Sequence, residues 1–230
     1  MIKEEELKQI VEKLSEFWKN KRKYTTEFIQ MLNNKESGHS IADYVDAETC
    51  KELELLNKKL MYENNKRSMG DFWIIDQNNN SYTPVNIKTG TSSDGSPNIV
   101  SINKLIDRLS KNEIDSYYLL IIKFTESKHV DVFFINLIDY LEFTTFDLGP
   151  GQLMLKEKKL YDFLKSGQTK PHLQIKDALD LLIKMQEDEL PKLLEHRRKN
   201  IDKNKKSINS YDPLKKINQD KIKLSNKPKR

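Results

Sequence analysis

Three polar residues whose types suit phosphodiester chemistry flank a predicted β-hairpin in the first half of the chain. Asp71 precedes one run of β-branched and aromatic residues, and Asn86 and Lys88 lie in the next run, with a turn-forming cluster at residues 77–80 between them. Carboxylate and amide oxygens are hard ligands for Mg²⁺, and the Ile87 carbonyl could add a third. A lysine beside such a site can orient or deprotonate an attacking water and stabilise charge on the phosphorane. These residue types therefore predict metal-assisted hydrolysis of a phosphodiester.

The length of the turn decides whether these side chains meet. A two-residue loop at Asn78-Asn79 sets Asp71 opposite Asn86. A two-residue loop at Asn79-Asn80 instead sets Asp71 opposite Lys88. Cross-strand partners share a face, as do residues two apart on one strand, so either register gathers the three side chains on one face, whereas a three-residue loop needs a bulge to do so. The alternative interpretation is an ordinary hairpin with polar residues on its solvent face.

Further carboxylates lie upstream and within the hairpin. The spacing of apolar residues from Ser40 to Tyr62 predicts a helix that carries Asp43 and Asp46 three residues apart, and this helix matters chemically only if it packs beside the hairpin. Without that packing, Asp43 would stabilise the N-terminal end of the helix. Asp76 is a substitute metal ligand of lower rank, because it lies nearer the turn and on the opposite face from Asp71.

The elements around the hairpin predict an α/β fold. A first helix is indicated by an apolar stripe, and a second helical run follows at residues 25–32. After the hairpin we expect a helix from about Pro97 to Leu109, a strand buried on both faces at Ser116–Phe124, and a neighbouring strand at Val130–Asn136. This order implies a mixed β-sheet with α-helices packed on it. The stripe of the first helix consists of Leu7, Ile10, Val11, Leu14, Phe17 and Trp18.

The second half of the chain contains shorter predicted elements before a long helix. A Gly-Pro-Gly turn at residues 149–151 leads into a short strand at Gln152–Leu155. A second short strand is predicted at Thr169–Lys176. An amphipathic helix then runs from Asp177 to Lys199, with an interruption or kink at Pro191.

Composition narrows the class of protein. The chain has 230 residues, of which 37% are hydrophobic and 33% charged, and no apolar run reaches membrane-spanning length. Its single cysteine, Cys50, excludes an internal disulfide and a cysteine metal site. We therefore expect a soluble, cytoplasmic protein.

The positive charge is concentrated at the C-terminus. Residues 197–230 contain 13 Lys and Arg against 3 Asp, a net charge of +10, so the remaining residues carry a net of −5. Such a segment can neutralise nucleic-acid phosphates, or it can simply be a solvated extension. We predict one domain over residues 1–200 and a basic C-terminal tail over 201–230.

Four segments together resemble a known family. They are SGHSIADYVD at 37–46, GD…VNIKT at 70–89, SPNIVSINKL at 96–105 and KPHLQIK at 170–176. In this order they resemble segments of type II restriction endonucleases of the PD-(D/E)XK superfamily, in the EcoRV/HincII-like branch. The resemblance covers most of the chain between about residues 37 and 200.

The resemblance implies a restriction-endonuclease-like mixed β-sheet flanked by α-helices. It also implies a Mg²⁺-dependent homodimer that cuts both strands of a short palindromic site in double-stranded DNA, with a DNA methyltransferase of the same specificity in the host. By position, Asp71 and Asn86 match the metal-binding acidic pair, Lys88 the catalytic lysine, and Asp43, less closely Asp46, a helix carboxylate. The residues expected to contact DNA are Ser92, Asn98, Ser101, Asn103, Lys104, Gln168, Thr169, Lys170 and His172.

Asn86 departs from the family pattern, which has Asp or Glu at this position. An amide oxygen still coordinates Mg²⁺, but the loss of one negative charge predicts weaker metal binding. One alternative function is therefore a catalytically degenerate DNA-binding protein on the same scaffold. Another is a repair nuclease that recognises DNA structure instead of sequence.

Overall fold

The computed structural model describes residues 4–24, 28, 30, 38–56, 60–62, 69–76, 81–90, 97–124, 129–147, 149 and 151–209. The helices are α1 (Glu4–Tyr24), α2 (Gly38–Leu56), α3 (Ile102–Ser110), α4 (Glu157–Lys165) and α5 (Ile175–Asn209), with a 3-10 helix at Leu137–Phe143. The strands are β1 (Leu60–Tyr62), β2 (Phe72–Asp76), β3 (Ser81–Gly90), β4 (Asn98–Ser101), β5 (Tyr118–Phe124), β6 (Val130–Asn136), β7 (Thr144–Asp147) and β8 (Gln152–Leu155). In these ranges, every helix is too short or too polar to cross a membrane.

Five of the described strands form a mixed sheet in the order β1-β2-β3-β5-β6. Pairing is antiparallel except between β3 and β5, which run parallel. Parallel neighbours need a crossover connection, and here the crossover contains β4 and α3. β3 is therefore the central strand of the sheet, with β2 on one side and β5 on the other. The protein has the mixed α/β architecture that the element order predicts.

A second, antiparallel sheet has the order β4-β8-β7. Gly151 precedes β8 with φ +68°, a left-handed conformation that favours glycine because it has no Cβ. The Gly151 carbonyl accepts a hydrogen bond from Ile102 N at 3.1 Å, which ties the turn to the start of α3. The predicted strand at Gln152–Leu155 is confirmed as β8.

Two hydrophobic cores cover the two faces of the mixed sheet. On one face, α1 and α2 contribute Leu14, Trp18 and Val45, all fully buried. On the other face pack α3, the second sheet, α4 and the start of α5. All seven residues of β5 are buried, and alternate side chains enter opposite cores, as the continuous apolar run predicts. The alternating pairs are Leu119 and Ile121 in one core, and Leu120 and Ile122 in the other.

The chain divides into two compact units, Met1–Gln186 and Glu187–Arg230. The first unit contains both sheets and every element from α1 to the start of α5. The described part of the second unit is the remaining helix from Glu187 to Asn209, which continues through Pro191. α5 therefore includes residues 201–209, the beginning of the segment predicted to be a basic tail.

Three predictions of local structure are wrong. Residues 98–101 form β4 instead of the start of a helix, because Ile99 and Val100 are buried and the segment pairs with β8. α2 ends at Leu56 and residues 60–62 pair with β2, although helical spacing continues to Tyr62. Residues 168–174 form no strand, and α5 begins at Ile175. The helical run predicted at 25–32 lies largely outside the described residues.

Candidate functional site

The β2–β3 hairpin pairs in one of the two predicted registers, from Phe72 with Val85 to Asp76 with Ser81. These pairs follow the register predicted for a loop centred on Asn78-Asn79, although the loop residues themselves lie outside the described residues. The ladder begins at Phe72, and Asp71 N donates to Val85 O at 2.7 Å. Asp71 therefore lies beside Val85 at the end of the ladder instead of pairing directly with Asn86.

The paired part of β2 begins at Phe72, and this leaves one edge of β3 open beyond Val85. From Asn86 to Gly90, β3 pairs with β5, and no described strand pairs with its other edge. Backbone N–H and C=O groups of one strand residue point to the same side, so those of Ile87 point into the open edge. The edge is therefore a place where backbone groups of the central strand are available to side chains or to a ligand.

Asp71 occupies the open edge. Its Oδ2 accepts a hydrogen bond from Ile87 N at 2.6 Å, so the carboxylate replaces a missing strand partner. Burial raises the pKa of Asp71, while this hydrogen bond and the positive charge of Lys88 oppose the rise. The carboxylate is thereby held at the backbone of the residue between Asn86 and Lys88.

Lys88 is the cation of the group. The residue is half-buried, and its ammonium group is desolvated by the surrounding protein. Burial lowers the pKa of Lys88, and the nearby negative charges of Asp71 and Asp46 oppose that change. A lysine whose pKa is lowered by burial reaches its neutral, proton-accepting form at lower pH than an exposed lysine.

Asp46, on α2, is the helix carboxylate that approaches the site. Burial, then the negative charge of Asp71, raises the pKa of Asp46 to about 7, and Lys88 opposes the rise. Its Oδ1 atom is buried and has no hydrogen-bond partner among the described residues. Asp43, the carboxylate preferred from the sequence, is exposed, and of the pair only Asp46 is close enough to affect Lys88. The structure thus reverses the predicted preference between the two, because helix phase turns Asp46 inward.

Asn86 is 8% exposed and only half satisfied. Its Nδ2 donates to Ile99 O at 3.3 Å, whereas its Oδ1 is buried without a hydrogen-bond partner in the described part of the chain. Thr89 lies next to Lys88 on β3. Its Oγ1, like Asp46 Oδ1, is buried without a hydrogen-bond partner among the described residues. Leaving a buried polar group unpaired costs about 1–3 kcal/mol, so three of them around one strand edge call for an explanation.

The donor set at the open edge fits a hard divalent cation such as Mg²⁺. The Asp71 carboxylate, the unpartnered Asn86 Oδ1 and the Ile87 carbonyl are all oxygen ligands of the kind that Mg²⁺ prefers. The described residues contain no group of three or more His, Cys, Asp or Glu side chains arranged to hold a metal ion. A site at this edge would therefore depend on the amide and backbone oxygens as well as on carboxylates.

The residues predicted to contact DNA after β3 are mostly exposed. Asn98, Asn103 and Lys104 are exposed, and Ser101 is half-buried at the junction of β4 and α3. Asn103 Oδ1 accepts a hydrogen bond from Gln186 Nε2 at 2.9 Å. Ser92 lies outside the described residues. The segment therefore presents polar side chains to solvent. They lie on β4 and on the first turn of α3, whereas the sequence predicted one continuous helix.

The segment from Gln168 to Ile175 contains the second predicted group. Gln168 and Thr169 are exposed, while Lys170 forms an ion pair with Glu142. His172 Nδ1 lies 3.0 Å from Asp139 Oδ1, which also accepts from Leu173 N at 2.8 Å. Asp139 and Glu142 belong to the 3-10 helix, so this segment is anchored there and exposes its first residues.

A second cluster of buried charge lies further along β3, and sequence reasoning missed it. Lys123 on β5 and Glu157 at the start of α4 form an ion pair at 3.5 Å, and both are only 9% exposed. Lys123 Nζ also lies 4.4 Å from the centre of the Tyr161 ring. Gly90, the register partner of Lys123, packs so closely that a Cβ there would collide with Glu157 Oε1. The glycine itself, at the end of the NIKTG run, was the only local signal for this close approach.

No protein-family model matches the chain. A search of curated proteins gives no significant match.

Proposed function

We propose that this protein is a Mg²⁺-dependent endonuclease that hydrolyses phosphodiester bonds in double-stranded DNA at a specific, short palindromic site. The observation that carries the proposal is the hydrogen bond from Ile87 N to Asp71 Oδ2 at 2.6 Å. It holds a carboxylate at the backbone of the residue between Asn86, whose Oδ1 has no hydrogen-bond partner among the described residues, and Lys88, whose ammonium is desolvated. Oxygen ligands beside a lysine suit metal-assisted hydrolysis of a phosphodiester.

Asp71, Asn86 Oδ1 and the Ile87 carbonyl would hold the cation. When bound, Mg²⁺ would supply positive charge that polarises the scissile phosphate. The two oxygens of the Asp71 carboxylate can divide their roles, since Oδ2 already accepts from Ile87 N. That hydrogen bond fixes the carboxylate before any ligand arrives, so little side-chain ordering remains to be done on binding.

Lys88 would act on the attacking water. Burial lowers the pKa of Lys88, and this favours acceptance of a proton at Nζ when the water attacks phosphorus. In its protonated form the same group stabilises the charge that accumulates on the phosphorane oxygens. Asp46 is a positioning residue in this scheme, because it acts on Lys88 through charge.

Contacts to DNA would come from the exposed polar residues and from the basic C-terminal segment. Gln168, Thr169, Asn98 and Lys104 are exposed and are suited to hydrogen bonds with bases or phosphates. The net charge of +10 over residues 197–230 would neutralise phosphates and make the affinity fall steeply with salt. Two copies acting on a palindrome would cut both strands, and a host methyltransferase would then be needed to protect the same site.

Cleavage of DNA under controlled metal conditions tests the proposal. Purified protein is incubated with plasmid and genomic DNA in Mg²⁺, and the fragment ends are mapped by sequencing. We expect discrete fragments that depend on Mg²⁺ and disappear in Lys88→Ala. The control is Lys111→Ala, which removes an exposed lysine paired with Asp107. This variant should cut DNA at the wild-type rate. Absence of cutting across diverse sequences and divalent metals would overturn the proposal.

Asn86 favours one other candidate function, a DNA-binding protein without catalysis. The residue carries no charge, and its amide leaves the site with one carboxylate at the metal position, Asp71. Such a protein would bind DNA equally well with and without Mg²⁺ and would not cut it. Binding measured by fluorescence anisotropy under both conditions, beside the cleavage assay, separates the two functions.

A further inference from the structure

The helix of the second compact unit exposes a straight apolar stripe. Leu190, Leu194, Ile201 and Ile208 are 52%, 62%, 53% and 72% exposed. Their spacings of four, seven and seven residues place them within about 40° of one another around a helix with 3.6 residues per turn. These are the spacings of the seam positions in a coiled coil.

This stripe differs from scattered surface leucines. Single exposed apolar residues are ordinary, but aligned aliphatic side chains along one helix mark a surface that another helix covers. The charged residues of the same helix form pairs along its sides, such as Lys192 with Glu189 and Lys199 with Glu195. The apolar stripe is thus flanked by charge, as in helices that pair in water.

The charge of the helix indicates which partner fits the stripe. Residues 187–195 carry a net charge of −3, and residues 196–209 carry a net charge of +5. Two parallel copies would set acidic half against acidic half and basic half against basic half. Two antiparallel copies would set each acidic half against the basic half of the other copy. The helix is therefore electrostatically complementary to itself in the antiparallel direction only.

We propose that the helix Glu187–Asn209 pairs with the same helix of a second copy as an antiparallel two-stranded coiled coil about a two-fold axis. A register that sets Leu190 of each copy against Ile208 of the other also sets Leu194 against Asn204, and Ile201 against Arg197. Polar residues at seam positions specify register and direction at some cost in stability, which suits Arg197 and Asn204. Pairing through this stripe would join two copies whatever reaction the Asp71 site catalyses.

The oligomeric state of the full chain tests the pairing. Analytical ultracentrifugation of the wild type should show a dimer. Ile201→Lys would face Arg197 of the other copy and should raise the dissociation constant at least about tenfold, equivalent to 1.4 kcal/mol. Asn200→Lys is the matched control, because this residue adjoins Ile201 but lies about 100° away around the helix. Circular dichroism verifies that the helix remains, and Ile208→Glu, which would face the acidic half of the other copy, serves as a second stripe variant if Ile201→Lys is unfolded. A wild type that stays monomeric at all concentrations would overturn the proposal.

Disulfide trapping tests the direction of the pairing. Burial raises the pKa of the thiol of Cys50, the native cysteine, so the wild type should give no cross-link under mild oxidation. The variant that combines Leu190→Cys with Ile208→Cys should cross-link into a dimer, whereas Ile208→Cys alone should not. Efficient cross-linking of Ile208→Cys alone would indicate parallel helices and would overturn the antiparallel arrangement. Cleavage assays are not needed for either test, so failure of the nuclease proposal and failure of the dimer are distinguishable.

Discussion

Two clusters of buried charge lie along β3, and their hydrogen bonding differs. Near Asp71 and Lys88, oxygens of Asp46, Asn86 and Thr89 are buried without hydrogen-bond partners in the described residues. At the end of the strand, Lys123 and Glu157 pair with each other, and the Lys123 ammonium also lies over the Tyr161 ring. We call the first the edge site and the second the Lys123–Glu157 pair. The same strand thus supports one incomplete and one completed polar cluster.

This difference in hydrogen bonding offers a criterion for separating functional from structural charge in this molecule. When two buried charged groups pair with each other, no ligand is required, and removal of one partner mainly destabilises the fold. A buried group left unpaired is unfavourable by itself, and such groups collect where a ligand completes the set. Each cluster contains a lysine whose ammonium is surrounded by protein, so burial of charge alone does not distinguish them. Among the described residues, buried side-chain oxygens without hydrogen-bond partners occur at the edge site, and this is why we place the proposed function there.

The largest expected effect is the loss of cleavage rate in Lys88→Met. The methionine retains the apolar stem but removes the group that we propose exchanges protons and stabilises charge, so the cleavage rate should fall by roughly 10²–10⁴-fold. Stability should change little or rise, because an ammonium whose pKa is lowered by burial is removed. Single-turnover cleavage and urea unfolding measure the two quantities. A variant that cuts at the wild-type rate would remove Lys88 from the reaction.

The companion change, Lys123→Met, should have the opposite profile. It removes the lysine from the buried Lys123–Glu157 ion pair and should lower the free energy of unfolding by about 3 kcal/mol. The folded variant should still cut DNA at a permissive temperature. Adding Glu157→Leu to Lys123→Met should restore much of the lost stability, since an apolar pair can replace a buried ion pair. Loss of cleavage in the folded Lys123→Met protein would contradict the contrast between the two clusters.

Asn86→Asp should make the stability of the edge site depend on metal. The change replaces the Nδ2 donor to Ile99 O by a carboxylate oxygen beside a carbonyl, which should cost about 1–3 kcal/mol without metal. Millimolar Mg²⁺ should recover that loss, and the melting temperature should rise more with Mg²⁺ in the variant than in the wild type. Asn103→Asp, on the exposed surface of α3, is the control and should respond to Mg²⁺ as the wild type does. Equal responses in all three proteins would place the metal elsewhere.

The last expected effect is a pH dependence of stability without metal. The pKa of Asp46 is raised from an ordinary value of 3.8 to about 7, first by burial and then by Asp71, so the folded state binds its proton more tightly than the unfolded state does. The resulting stabilisation is fully present below about pH 4 and is lost as pH rises to about 7. Asp46→Asn should flatten this decline in urea unfolding between pH 4 and 8. Asp43→Asn, an exposed carboxylate on the same helix, should leave the decline nearly unchanged.

Much of the fold follows from short-range patterns in the sequence. The apolar stripe of α1, the continuous run of β5 and the two strands of the β2–β3 hairpin are all predictable, because periods of 3.6 and 2 residues determine them locally. The pairing of Phe72 with Val85 then selects one of the two predicted registers. Where local patterns were ambiguous, pairing decided the outcome. Residues 98–101 satisfy a helical pattern, but hydrogen bonds to β8 make them a strand.

The sequence alone places Asp71 before one strand of the hairpin and Asn86 and Lys88 on the other, and it leaves two registers open. Only the tertiary structure decided that Asp46 and not Asp43 reaches them, and that Glu157 closes a separate pair against Gly90. The physical reason is that these contacts depend on how α2 and α4 are oriented against β3. Packing between sequence-distant elements sets that orientation, and no period within one segment encodes it.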